Sequence, residues 1–340
     1  MATLSAPKGI KAEVVMRAET TAGVDPMAGT YTTGDIVPIE WDSLRFTQDP
    51  NEIENKMTAG SMGRGPSILG KLTGMIEASM LFRGAGTTYT AAVKPEIDMI
   101  LRASGHSAVF DTTGGAKWTY KPTEVDETFT CYAVVPMGSG TSALSFRLLG
   151  GLGWRLNFAA VAGEGCRVSF ALGGAMDTTN GRADLTYVSG TLSTVIPPTT
   201  KSAAFIIDDG ANYVPRIKDI AMDIGREVSY VDSINASGGV VGALSMDRSP
   251  TLSFTPEADL EANSGWWGML NGTGSMNWCT FQIGTVAFNR LKFKFGANGT
   301  DRLLQLVRQS LQIRNGLLTL PSLLRATLNA AGSDYSIVCD

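Results

Sequence analysis

Trp154-Arg155-Leu156-Asn157-Phe158-Ala159-Ala160 decides the fold class. Trp154, Leu156 and Phe158 alternate with Arg155 and Asn157, a period of two that puts apolar side chains on one face and polar ones on the other. That is the pattern of a half-buried antiparallel sheet, not of a helix. Working outward, residues 144–149 and 166–172 are strand-like, as are 109–111, 118–120 and 129–135, with Gly/Ser/Thr turns between them. Residues 74–83 alternate cleanly: Ile76, Ala78, Met80 and Phe82 fall on one face, with Glu77, Ser79 and Arg83 on the other. With Gly 39 in a chain of 340, the composition is that of a turn-rich, mainly β protein.

The strand at 73–83 belongs to a pattern that occurs twice. Ser61-Met62-Gly63-Arg64-Gly65-Pro66 precedes it, and Ser245-Met246-Asp247-Arg248-Ser249-Pro250 precedes a second strand-like run at 251–261. Both motifs read S-M-x-R-x-P, and 245 − 61 sets them 184 residues apart. Each strand is followed by a short apolar helix closed by glycine, at 95–105 and at 263–272. Each motif is preceded by an extended segment, 36–46 or 217–231, running into a polar loop, 47–70 or 230–245. The recurring order implies an internal duplication.

The linker-like stretch 191–201, with Pro197 and Pro198, separates a first domain, 1–195, from a second, 201–340. Residues 1–35, Gly/Thr-rich after a strand-like start at 10–16, read as an arm that needs a partner to be ordered. The loop at 47–70 is too long for an idle connection. The second half adds strands at 217–224, 280–288 and 290–295. The leucines of 303–313 and 317–328 fit helix or strand equally, and analogy with the first half assigns strands.

Hydrophobic residues make up 44% and charged residues 18%, so the chain is a folded one. The low charged fraction points to surface covered by neighbouring subunits. A net charge of −4 argues against gripping nucleic acid through counterion release. Residues 1–14 carry no signal-peptide core, and no run approaches membrane-helix length, so neither secretion nor a membrane anchor is expected. Cys131, Cys166, Cys279 and Cys339 lack CxxC spacing and are expected to be buried thiols in a reducing cytosol.

Enzyme chemistry finds no foothold. The single histidine, His106, follows a helix end and is expected to be a loop or helix-capping residue; without clustered cysteines it makes no zinc site. Gly65-Pro66-Ser67-Ile68-Leu69-Gly70-Lys71 imitates a phosphate-binding loop, but Leu72 stands where Ser or Thr is required and Pro66 removes an N–H donor. The N-x-[S/T] sequons at Asn235, Asn271 and Asn298 are chance loop matches in the absence of secretion. No carboxylate pair sits where its pKa values separate. No catalytic residue, cofactor or metal is expected. In 251–261, Phe254, Ala258 and Leu260 fall on one face and Glu257, Asp259 and Glu261 on the other. That acidic face is either solvated or a wall that repels a passing polyanion; Glu77 makes a weaker counterpart in the first copy.

Taken together these residues resemble the tail tube (major tail) proteins of long-tailed bacteriophages. The resemblance rests on the start Pro7-Lys8-Gly9-Ile10 through Glu19-Thr20 and on the long loop. It continues in Leu72-Thr73-Gly74-Met75-Ile76-Glu77, Pro95 to Gly105 with its Leu-Arg-Ala-Ser-Gly ending, Asp223-Ile224-Gly225-Arg226-Glu227-Val228, and Asn235-Ala236-Ser237-Gly238. It covers most of the chain in loose patterns. It implies two tandem β-sandwich or open-barrel domains, each with one short flanking α-helix, whose strands join those of neighbours into a β-barrel lining a channel. A duplicated chain implies trimeric rings with pseudo-sixfold symmetry, stacked head to tail in a virion tail assembled in the host cytoplasm. The partners implied are other copies and the tape measure, tail terminator and distal tail proteins, with DNA passing through unbound.

On that reading the loops 47–70 and 230–245 and the N-terminal arm reach the next ring. Met62, Arg64, Pro66, Met246, Arg248 and Pro250 are the candidate inter-subunit contacts, with a salt bridge or turn contact inside the domain as the alternative for the two arginines. Glu77, Glu257, Asp259 and Glu261 are the candidate lumen-facing acids. Trp266 and Trp267 are expected to be packing residues. Two other functions remain open: a tube of a contractile injection or secretion system, and a β-sandwich adhesin or receptor-binding module. The first resembles single-domain hexamers, and the second calls for an exposed aromatic platform.

Overall fold

The computed structural model describes residues 11–53, 68–137, 141–190, 193–208, 213–236, 238–258, 278–295, 304–314, 317–326 and 335–340. The first half forms β1 (Glu13–Ala18), β2 (Ile36–Val37), β3 (Arg45–Ile53), β4 (Ile68–Leu81), α1 (Asp98–Ala103), β5 (His106–Asp111), β6 (Lys117–Pro122), β7 (Phe129–Pro136), β8 (Ser142–Val161), β9 (Cys166–Met176) and β10 (Arg182–Thr186). The second forms β11 (Ala204–Asp208), β12 (Ile217–Asp223), β13 (Arg226–Asp232), β14 (Val240–Arg248), β15 (Thr251–Pro256), β16 (Trp278–Ile283), β17 (Leu291–Phe295), β18 (Leu304–Gln309), β19 (Gln312–Arg314), β20 (Leu317–Thr319), β21 (Ser322–Ala326) and β22 (Tyr335–Cys339). The protein is mainly β, with antiparallel sheets of which none closes into a barrel.

The runs 144–149 and 154–160, expected as two strands, are halves of one 20-residue strand, β8. Gly150, Gly151 and Gly153 mark register shifts within it instead of a turn, and Gly150 takes φ 59°, which only glycine adopts cheaply. The bend gives β8 four neighbours. One edge carries β10 and then β9; the other carries β7 along 143–151 and β12 along 157–161.

Through β8 runs the row β3-β4-β9-β8-β12-β15-β21-β18. Its first four members, numbered by their order in the chain, lie in the sequence first-second-fourth-third. Its last four, β12, β15, β18 and β21, lie in that same sequence. In both halves a hairpin, β5–β6 or β16–β17, follows the second strand. The duplication inferred from the paired motifs is thus visible as a repeated strand order.

Alternation along each strand lines up across the row. Met80, Val168, Phe158, Met222, Leu252, Leu324 and Leu306 are successive cross-strand partners, and all are buried. They face a second sheet, β11-β16-β17-β22-β6-β5. The ring centroids of Phe158 and Phe293, and those of Phe205 and Phe254, lie 4.9 Å apart across this layer. Each such side chain contributes about 1.5–3 kcal/mol through burial. Both layers draw strands from both sides of 195–201, and one apolar core spans the halves. The tandem units are therefore fused, because β8 pairs with β12 and β6 pairs with β22.

Several expected boundaries shift. Residues 11–35 are ordered by their own chain: β1 pairs with β7, Arg17 Nε donates to Asp35 at 2.8 Å, and the Tyr132 hydroxyl bonds Asp25. The segment 36–46 breaks after Val37, where Pro38 and then Asp42, at φ 65°, interrupt the strand. The loop 47–70 shortens from both ends, since β3 runs to Ile53 and β4 starts at Ile68. Its counterpart 230–245 belongs to the hairpin β13–β14, and Gly225 at φ 57° separates β12 from β13. The helix expected at 263–272, with Trp266 and Trp267, lies outside the described residues.

Candidate functional site

The face of the row turned away from the core is polar, as the alternation dictates. Ser79, Ser169, Asn157, Asp223, Thr251, Arg325 and Gln305 are successive partners across seven strands. The neighbouring line runs Arg167, Ala159, Ala221, Ser253, Leu323 and Arg308. Short hydroxyls and charged tips that stay in water give a smooth hydrophilic surface.

Its charge differs from the expectation of an acidic wall. Glu77 faces this surface, but Arg45 is its register partner on β3, with an N···O separation of 3.9 Å. Glu257 lies just past β15 and meets Arg216 at 3.7 Å. Arg155, Arg167 and Arg325 are exposed on the same face. Among the described residues the face is therefore balanced in charge. Asp259 and Glu261 lie outside the described residues.

The row has two ends. Among the described residues β3 pairs only with β4, and β18 only with β21, so each leaves one line of backbone N–H and C=O groups open.

The second S-M-x-R-x-P motif closes β14. Met246 is exposed, Pro250 is buried and Arg248 is partly covered. Met62, Arg64 and Pro66 of the first copy lie outside the described residues. The network around the motif is organised by a residue that motif comparison passed over, Arg226. Where β12 leaves β8 and β7 has not yet joined it, the Arg226 side chain fills the gap, 4% exposed. Its Nη1 donates to Ala103 O at 2.7 Å and Gly153 O at 3.2 Å, its Nε to Ser245 Oγ at 3.0 Å, and its Nη2 to Asp126. Asp126 also accepts the Ser245 N–H at 2.7 Å. Burial pulls the Arg226 pKa down from its ordinary value, and Asp126 works against that shift. The signal available in sequence was a lone arginine after Gly225, within an otherwise apolar-alternating segment.

Tyr230 stacks on Trp154 at 4.9 Å, and Val228 and Ala243 pack on Leu152, so one face of β13–β14 lies on the sheet. The other face is open to solvent.

No site for chemistry assembles elsewhere. His106 is buried; its Nδ1 lies 2.8 Å from Leu101 O, the helix-capping role expected of it, and its Nε2 lies 2.7 Å from the Tyr335 hydroxyl. Burial lowers its pKa to about 4. All four cysteines are buried, and burial raises each thiol, Cys166 to about 12. A cleft of about 450 Å³ beside α1 is lined by Lys94, Glu96, Asp98 and Arg102, but both cations are bonded to Asp98, at 3.2 and 3.4 Å. Among the described residues no cluster of His, Cys, Asp and Glu could hold a metal ion, and no helix is long and apolar enough to cross a membrane. No protein family matches this chain, and no curated protein is similar to it.

Proposed function

We propose that the protein is a structural subunit that polymerises into stacked rings forming a tube, of the kind that conducts DNA through a phage tail around a tape measure protein. One observation carries this reading: the junction within the chain and the two ends of the row are the same joint. Inside the chain, the third strand of one unit, β8, pairs with the first strand of the next, β12. At the ends, a third strand, β18, and a first strand, β3, stand open. Joining β18 of one copy to β3 of the next continues the row without changing its pattern.

Three copies of the eight-stranded row give 3 × 8 = 24 strands. At a spacing of about 4.8 Å and a tilt of about 40°, such a barrel measures about 50 Å between backbones. That leaves room for a duplex once side chains are counted. The balanced, hydrophilic face then lines the channel and offers no basic track on which DNA could stick. Tail terminator and distal tail proteins are the further partners of this reading, and the virion tail is its location.

Negative-stain electron microscopy of the concentrated protein, with and without a Val307→Lys substitution on the β18 edge, tests it. Val307 is exposed, so the fold tolerates lysine while edge pairing does not. Hollow tubes or three-fold rings from the wild type, lost in the variant at unchanged melting temperature, support the reading. Compact particles at every concentration, or a variant that assembles normally, contradict it.

A further inference from the structure

The chain carries two hairpins with open apolar faces, and the register places them at opposite ends of the sheet. Follow β8 from Ser142 downward to Val161. Asp223 lies beside Asn157, and the chain continues upward into β13–β14, where Gly242 packs on Gly150 and Asp232 pairs with Lys71. β18 descends from Leu304, beside Ala326, to Gln309, beside Ser322. The hairpin β19–β20 follows, tied to the lower end of β15 by a bridge between Glu257 and Thr319.

Val231, Val241, Leu244 and Met246 are exposed on the upper hairpin; Leu311, Ile313, Leu317 and Leu318 are exposed at the lower one. Contiguous apolar surface of this kind marks an interaction site. Charge gives its partner. Residues 227–247 contain Glu227, Asp232 and Asp247 and no Lys or Arg, whereas residues 304–326 contain Arg308, Arg314 and Arg325 and no Asp or Glu. The two ends are complementary to each other and repel their own kind.

We propose that the outer face of β13–β14 in one copy docks on β19–β20 of a second copy, a head-to-tail contact along the strand direction. The contact is heterologous and does not close on itself. Its place between successive rings rests on the tube reading; the contact itself does not.

Mixing Met246→Cys protein with Ile313→Cys protein under mild oxidation tests the contact directly. These positions are 64% and 78% exposed, whereas the native thiols are buried. The expected product is a disulfide between one copy of each, at least tenfold over the dimer from either variant alone. In parallel, Leu244→Glu and, on the other hairpin, Ile313→Glu should each shorten tubes at least tenfold while leaving single rings. Tubes of normal length from both Glu variants, with no mixed disulfide, overturn the contact and leave the tube reading standing. A mixed disulfide without rings or tubes overturns the tube reading and keeps the contact. Neither product overturns both.

Discussion

Replacing Arg226 by Met keeps most of the side-chain volume and removes the cation. Asp126, whose side chain is only 10% exposed, is left with the Ser245 N–H at 2.7 Å, and Ala103 O and Gly153 O each lose a donor. Breaking a buried ion pair from one side costs about 3–5 kcal/mol, because the remaining charge is uncompensated. Adding Asp126→Asn removes that charge, so the double variant should recover about 2 kcal/mol relative to additivity. Lys71→Ala cuts the ion pair at the far end of the same hairpin, where both side chains are about half exposed, and should cost less than about 1 kcal/mol. Urea unfolding measures the totals, and amide hydrogen exchange over 226–248 shows where protection is lost. An Arg226→Met cost below about 1 kcal/mol, or strict additivity with Asp126→Asn, would refute the role assigned to this gap-filling arginine.

Two further outcomes follow from single positions. His106 has a folded pKa near 4 against an unfolded value near 6.5, so the unfolded chain takes up the proton first as pH falls. Its stabilising share is complete above about pH 6.5 and declines below it, by about 2 kcal/mol between pH 7 and 5. Subtracting the stability curve of a His106→Asn variant from that of the wild type should isolate this slope. A flat difference curve contradicts it; the subtraction also removes Glu13 and Glu96, whose pKa values burial raises and whose effect has the opposite sign. Gly150 sits at φ 59°, and an added Cβ would stand 2.7 Å from Gly242 Cα and 2.9 Å from Val241 O. Gly150→Ala should therefore cost about 1–3 kcal/mol and raise hydrogen exchange in β13–β14, whereas Gly163→Ala, with nothing near its Cβ, should leave that hairpin protected.

The strands that sequence reading found share one property: each has one face in the core, so that alternation is visible, as at 74–83 and 154–160. The glycines of 150–153 misled, because a bulge and a turn draw on the same residue type. The repeated motif located the duplication correctly in sequence, yet could not show that β8 and β12 share a ladder, since backbone pairing leaves no mark on side-chain pattern. The polar face was legible in parity but not in sign: Glu77 was visible as an acid, whereas Arg45 opposite it depends on register. The two open edges were not legible at all, because an edge strand and a central strand of this sheet have similar alternation. Arg226 escaped for a related reason; a charged residue in an alternating segment is normally exposed, and only the split along β8 makes a buried place for it.

The β8–β12 junction also changes the kinetics of any ring built on the proposed plan. Six separate units must meet through six bimolecular joints, whereas fused pairs need three. The internal joints form at the effective concentration of tethered partners, on the order of millimolar, whatever the protein concentration. Nucleation of a ring then rises with the third power of concentration instead of the sixth. A dilute pool can begin assembly, and misassembled intermediates can hold only whole numbers of pairs.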